Sequence, residues 1–426
     1  MRVLIISSEP LNPSNTLSST FELTQAQVLS ASYDVAILSV NLPDPLIVEI
    51  KLFIKKLIGL RSVSHISYIS LWRSIWRTIF FLFFKNKFTR EHTIEGIRVY
   101  EGVGYFFRGS TDFTVNLQRW LQTGAQAFET YSKKNGSPAV MHAHGRFLNA
   151  GVLARAIHKK NIIPYIYTEH CTYYQQGIAP PESKPLLAGV INKAAAFIVV
   201  SPSLKQQVEK FIGQKYERAL VIPNVLDRIY ENSPLTSSPG QDPFVFLTVA
   251  LLDYKKGIDI LLKAFKKAFT GNTKYQLKIC GDGPLSHQLL VLRNELGLGN
   301  VVEFLGYQPK QSVKKLFDRA NVFVLPSRVE TFGVVIIEAL SRGCPAISTR
   351  SGGPEYIIRE DCGMIVEPGN VNELCSAMQD ICNKRYDRLK IRDYAISHYG
   401  AGAFLAELAP VYEKIAGSGL RFEFIV

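Results

Sequence analysis

The sequence predicts an α/β protein of two doubly wound halves, each a parallel sheet covered by helices. Three observations carry that prediction. At 426 residues the chain exceeds what one ordinary core organises. Apolar runs of strand length alternate with segments of helical periodicity on both sides of its middle. Between the two series lies "ENSPLTSSPGQDP" (231–243), a Ser- and Pro-rich stretch that reads as a linker. The expected units are residues 1–222, residues 223–395, and a carboxy-terminal helix and tail, 396–426, that crosses back to the first unit.

In the first half the expected strands are "VLII" (3–6), "VAILSV" (35–40), "AVMHAH" (139–144), "IPYIYTEH" (163–170), "FIVVS" (197–201) and "ALVIPN" (219–224). Helices are expected over "ELTQAQVLSA" (22–31) and "AGVLARAIHKK" (150–160). The second series runs "FVFLTVA" (244–250), "YQLKICG" (275–281), "VVEFLG" (301–306), "VFVLPS" (322–327) and "PAIST" (345–349). Over 258–269, Ile258, Leu261, Leu262, Phe265 and Phe269 fall on one helical face. "VVIIEALSR" reads as a helix that stops at Gly343, with Pro345 beyond, and a last helix is expected over 401–415.

Composition narrows the class. No charge-free apolar run is long enough to span a bilayer, and "MRVLIISSEP" is too short for the core of a signal peptide. The six cysteines form no CxxC pair, so the chain reads as a reduced cytosolic protein without structural zinc. The formal net charge is +13, and residues 51–90 alone hold nine Lys and Arg with no Asp or Glu. Such an excess suits nucleic acid, acidic nucleotides or an anionic lipid surface.

The candidate sites gather at strand exits, where open α/β sheets collect ligands. In "RVETFGVVIIEAL" (328–340), Glu330 lies in the loop after the strand that ends at Ser327, and Glu338 lies early in the next helix. The amides near Phe332, Gly333, Val334 and Val335 head that helix and suit an anion such as a diphosphate. Helical side chains lean towards the amino terminus, so Glu338 can reach the ligand that Glu330 meets. Carboxylates do not bind phosphate; they accept hydrogen bonds from hydroxyls. A diphosphate flanked by polyols is a nucleotide sugar. The plain alternative is a helix cap at Glu330 and a solvated residue at Glu338.

Lys255 and Lys256, before Gly257, can neutralise a leaving diphosphate, or they are solvated turn residues. "CGDGPL", with Gly281 and Gly283, and "SGGPEY" (351–356) offer further Gly-bearing strand exits. In the first half, His142, His144 and His170 stand near strand ends. His170, flanked by Glu169, suits an acceptor hydroxyl or a sugar 6-hydroxyl. For His142 and His144 a core histidine bonded to backbone is an equal alternative. Nothing supplies a fourth ligand for a metal.

These residues together resemble the retaining glycosyltransferases of family 4, which have the GT-B fold of two Rossmann-like domains facing a cleft. The resemblance rests on "VIPNVLD", "KKGIDILLKAF", "ICGDGPL", "VVEFLGYQP", "ANVFVLPSRVETFGVVIIEALSRGCPAISTRSGGPEYI" and "GMIVEPGN", which cover nearly all of 221–370. "MHAHGRFLNAGVLA" and "YTEHCTYY" extend it more loosely into the first half. It implies an acceptor-binding first domain and a nucleotide-sugar-binding second domain. It implies that Glu330 meets sugar hydroxyls, Glu338 the ribose, Lys256 the diphosphate, Tyr307 the base and His170 the transferred sugar. Two positions depart from the family. The arginine usual five residues before the lysine is Leu251 here. The glycines usual after the first strand are missing from "SSEPLNPSNTLSST", which leaves Asn15, Ser18 and Ser19, with His144, on the acceptor side.

The expectation is a metal-independent, cofactor-free hexosyltransferase. It would move a sugar from a UDP- or GDP-linked donor to a glycan or lipid-linked glycan acceptor, in bacterial polysaccharide or lipopolysaccharide synthesis. The rivals are a same-fold epimerase or phosphorylase, a donor-binding protein without turnover, and a nucleic-acid binder. Nucleic acid is the least favoured partner, and an anionic membrane surface is the favoured one for the basic segment. In "ISYISLWRSIWRTIFFLFF" (66–84), Ser70, Arg73, Ser74 and Arg77 fall on one helical face and Trp72, Trp76 and Phe83 on the other. That pattern fits a helix lying in a membrane interface, on the inner face of the cytoplasmic membrane. The alternative is a helix packed on the domain core.

Overall fold

The structure is a computed structural model that describes residues 1–11, 20–42, 88–104, 113–235, 239–240 and 242–417. Asn15, Ser18, Ser19, Trp72, Arg73, Trp76 and Arg77 lie outside the described residues.

The first sheet has eight strands: β1 (Arg2–Ser7), β2 (Asp34–Asn41), β3 (Phe88–Ile94), β4 (Ile97–Val103), β5 (Val140–Gly145), β6 (Tyr165–Glu169), β7 (Ala196–Val199) and β8 (Leu220–Val221). Their order is β3-β4-β2-β1-β5-β6-β7-β8, and all pairs are parallel except β3 with β4. The second sheet has six strands: β9 (Phe244–Val249), β10 (Tyr275–Cys280), β11 (Val302–Gly306), β12 (Val322–Leu325), β13 (Ala346–Thr349) and β14 (Gly363–Val366). Its order is β11-β10-β9-β12-β13-β14, parallel throughout.

Runs such as Val3–Ile6 and Val322–Leu325 are apolar at every position because both sheet faces are covered. On one face of the first sheet, Val3, Ile5, Ile37 and Ile166 pack under the helix Thr20–Leu29 and under Phe404, Leu408 and Tyr412 of the final helix Ala401–Gly417. On the other face, Leu4, Ile6, Leu38 and Tyr167 pack under the helices Phe113–Asn135 and Asn149–Asn161. In the second half the helix Ile258–Phe269 buries all five apolar residues expected to face inward.

Sequence reading missed the β3–β4 hairpin and β14. β3 is a polar edge strand, "FTREHTI", with no continuous apolar run. Its turn is nevertheless legible: Glu95 and Gly96 both take positive φ (47° and 84°), as a two-residue hairpin turn demands. "ALVIPN" supplies only the two-residue β8.

Candidate functional site

The carboxyl ends of the two sheets meet at a cleft of about 330 Å³. Of the expected site residues, Glu330, Glu338, Lys256, His170, Phe332, Gly333, Val334, Tyr307 and Gly281 line it. Three stand behind the lining instead. Ser327 is buried after β12, and its carbonyl accepts from the Thr349 hydroxyl. Gly283 turns away, with its N–H on Asp282 and Ser286. His144 is fully buried beneath His170, so it has no face for an acceptor.

The loop that carries Glu330 is tied down on both sides. The Arg328 N–H donates to the Lys255 carbonyl at 2.7 Å, and the Glu330 N–H to the Ser351 carbonyl at 3.0 Å. The Arg328 fork also grips both oxygens of Asp259 at 2.8 Å. Lys256 is fixed by the short turn Tyr254–Lys256, which ends at Gly257 with φ 66°. A Cβ at Gly257 would strike the Pro326 carbonyl, so the turn can press against the Glu330 loop only with glycine there. The result is a Lys256 Nζ to Glu330 Oε2 contact of 2.5 Å at the cleft wall.

The helix Val334–Ser341 starts at Gly333, whose φ of 100° turns the chain from loop to helix. The Phe332 ring is buried edge-on to Tyr399, 5.9 Å between centroids, which leaves the backbone of 332–335 to the cleft. Glu338 sits in the second turn beside Tyr230 and Lys310, and the Lys310 ammonium pairs with Asp227. Burial pushes the Glu338 carboxyl up to about 8; the Lys310 charge opposes the rise, Asp227 adds to it, and the Tyr230 hydroxyl opposes it. Burial thus favours the neutral acid at Glu338 near pH 7.

The first domain supplies the opposite wall. His144 Nδ1 and His170 Nε2 share a hydrogen bond of 2.9 Å, and His142 stacks on His144 at 4.4 Å. Phe21 closes the column on the cleft side, 4.1 Å from the His170 ring. His142 also bonds Thr168 and Tyr412, both at 2.7 Å. Burial drives all three imidazoles down, His142 to about 3, so the column is uncharged. Across the cleft the Thr331 hydroxyl donates to the His170 carbonyl at 3.1 Å, so the two walls touch at His170.

Glu169 corrects an expectation. Its carboxylate does not flank the His170 ring. It turns inward and accepts from the Tyr167 and Tyr174 hydroxyls (2.6 and 2.8 Å) and from the His170 and Cys171 amides (both 2.8 Å). It is a loop clamp. Sequence reasoning also missed Arg146, Phe21, Tyr230 and Lys310, all in the cleft lining. Arg146 carried a readable signal, since it follows "MHAHG" at a strand exit. Lys310 carried none, because its partner Asp227 is 83 positions away. Among the described residues, no three His, Cys, Asp or Glu side chains are grouped to hold a metal ion.

Residues 29–228 match the model of Glycosyltransferase Family 4, and residues 235–398 that of Glycosyl transferases group 1. An uncharacterized glycosyltransferase of Methanocaldococcus jannaschii is 30% identical over 62% of this chain and 68% of its own length. The chain belongs to glycosyltransferase family 4. Other family relatives match over shorter spans. An exopolysaccharide phosphotransferase of Streptomyces coelicolor is 31% identical over 50% of this chain and 22% of its own. The gpi3 subunit of phosphatidylinositol N-acetylglucosaminyltransferase from Schizosaccharomyces pombe is 30% identical over 51% of this chain and 48% of its own. The chain thus spans less than half the length of those two curated relatives. Among solved structures, sucrose-phosphate synthase from Thermosynechococcus elongatus superposes with a TM-score of 0.71 at 19% identity, covering 98% of this chain and 100% of the other. HepE of Anabaena, in complex with UDP and glucose, gives 0.65 at 17% identity over 96% and 98%. Both likenesses concern the fold, which is GT-B.

Proposed function

We propose that this family 4 protein transfers a sugar from a nucleotide-sugar donor to a glycan acceptor with retention of anomeric configuration. The observation that carries the reading is the Lys256–Glu330 pair at 2.5 Å, which lines one cleft with residues 332–335 and Glu338. A cation and helix-end amides, which suit a diphosphate, thus line the cleft together with two carboxyl groups, which suit hydroxyls. On binding, Lys256 exchanges Glu330 for the diphosphate, and Glu330 is released to the sugar. The acceptor hydroxyl attacks the anomeric carbon on the face from which the nucleoside diphosphate departs. The bond from that carbon to phosphate oxygen breaks, the bond to the acceptor oxygen forms, and the acceptor proton passes to the departing phosphate. Lys256 and the helix amides offset the charge that develops there.

The acceptor side is read from the relatives and from the basic segment. Relatives named for colanic acid biosynthesis and for phosphatidylinositol glycosylation support a cell-surface or lipid-linked glycan, in line with polysaccharide or lipopolysaccharide synthesis at the inner face of the cytoplasmic membrane. A second reading, donor binding with little turnover, is favoured by Leu251, which is 37% exposed in the cleft where the family carries arginine. A thermal-shift panel of UDP-, GDP- and ADP-sugars, followed by measured transfer or donor hydrolysis, tests both. Stabilisation by one donor with turnover is expected. Stabilisation without turnover supports the second reading, and no stabilisation by any donor ends both.

A further inference from the structure

A bound nucleoside diphosphate would carry two or more negative charges into this cleft, and the second domain answers them sparingly. Lys310 is already paired with Asp227 and stands beside Glu338. Lys255 lies on the rim of its turn, 3.7 Å from Asp253. Leu251, at the exit of β9, presents an apolar side chain to the same space. That leaves Lys256 and the helix amides.

The opposite wall carries a further cation. Arg146 lines the cleft with only 21% of its side chain exposed, and its fork is aimed by three groups. Glu9 accepts from Nη1 at 2.9 Å, and the fully buried Glu22 lies 3.6 Å from Nε, too far for a hydrogen bond. The guanidinium also covers the Phe21 ring at 4.5 Å. The next two residues, Phe147 and Leu148, both take positive φ, 92° and 34°, and neither is glycine. Such backbone persists only where its surroundings hold it, and it clusters at ligand sites.

We propose that Arg146 reaches from the first domain to the donor's diphosphate and supplies the second cationic contact that Leu251 withholds. The inference rests on the nucleotide-sugar reading above. A guanidinium fork matches two phosphate oxygens at once, which an ammonium does not. Glu22 behind the fork and Phe21 beneath it hold its plane. Glu9, 39% exposed at the rim, is the partner that the phosphate replaces. A cation borne by the first domain also ties donor binding to closure of the two halves.

The experiment is calorimetric titration of the full chain with UDP, GDP, ADP, the matching monophosphates and inorganic pyrophosphate. Arg146→Gln should weaken the tightest nucleoside diphosphate about tenfold or more, and its monophosphate about twofold. Leu251→Arg in the Arg146→Gln background should restore diphosphate affinity, while Leu251→Arg alone should gain less. Arg146→Lys, which keeps the charge and loses the fork, should fall between, and it serves if Arg146→Gln does not fold. The proposal is overturned if folded Arg146→Gln, or Arg146→Lys where Arg146→Gln does not fold, binds the diphosphate within twofold of the parent. It is overturned equally if Lys255→Gln carries the loss instead, or if only the acceptor KM moves. If the parent binds none of these nucleotides, the nucleotide-sugar reading falls first and this inference with it.

Discussion

Glu330 meets an ammonium at 2.5 Å, whereas Glu338, eight positions on, is held in its neutral form by burial. The two carboxyl groups thus sit in different surroundings, and the difference is measurable. If the ribose diol is accepted by the Glu338 carboxylate, its proton must leave before binding. Nucleotide affinity should then rise up to tenfold per pH unit as pH climbs towards 8 and level off above it, because each tenfold change in the ionised fraction is worth about 1.36 kcal/mol. Glu338→Gln should bind more weakly and lose that dependence. An unchanged pH profile in the variant would sink the assignment. Linkage gives a second readout in the absence of ligand. A folded-state value above the unfolded one costs stability from about pH 4.5 up to about 8. Glu338→Gln should therefore melt higher than the parent at pH 8 and nearly with it at pH 5. Glu330→Ala differs in kind: it removes the ion-pair partner of Lys256 at the cleft wall and should reduce transfer by an order of magnitude or more.

At the scale of elements, the strand–loop–helix unit of 322–341 was legible because its physics is local. Four buried apolar residues make β12, and Gly333 allows the turn into the helix. Leu251 stands out in the sequence as a departure, and it does face the cleft. What was not legible depends on partners far along the chain. Glu169 looked like a catalytic flank, but Tyr167 and Tyr174 claim it from inside the fold. His144 looked like an acceptor residue, but β5 pairs with both β1 and β6 and so lies inside the sheet. The clamp makes a strong prediction. Glu169→Ala leaves two buried hydroxyls and the buried Cys171 amide without their acceptor, at about 1–3 kcal/mol each, while the His170 amide keeps the Gly145 carbonyl at 2.9 Å. Urea unfolding should show a loss of several kcal/mol, with the His170 loop exchanging its amides faster. A loss below about 1 kcal/mol would mean that water reaches the clamp and takes over these bonds.

At the scale of the whole molecule, the two halves meet through the Thr331–His170 contact and a Gln175 amide on the Ser351 carbonyl at 3.2 Å. The final helix Ala401–Gly417 returns to the first sheet, where Tyr412 holds His142. The basic segment has its roots in this architecture. The chain leaves β2 at Asn41 and re-enters at Phe88, and both residues stand level with Val103 at the carboxyl end of the sheet, which is the cleft end. Of its nine cations, Arg90 is spoken for, because it lies in β3 and pairs with the buried Glu101. The other eight lie outside the described residues. Among the described residues no helix is long and apolar enough to cross a membrane. A segment rooted at the cleft end would bring a lipid-linked acceptor to the reacting face, with each basic residue near an anionic surface contributing about 1 kcal/mol. The protein should therefore sediment with vesicles that contain anionic lipid, and not with neutral ones. Raising the salt from about 0.1 M towards 1 M should release it, since the screening length shrinks from about 10 Å to 3 Å. Replacing Trp72 and Trp76 by Ser should release it at low salt while leaving nucleotide binding unchanged, because the donor residues lie mainly in the second half. If the parent stays in the supernatant with anionic vesicles at low salt, the segment covers protein rather than lipid, and the acceptor reaches the cleft from solution.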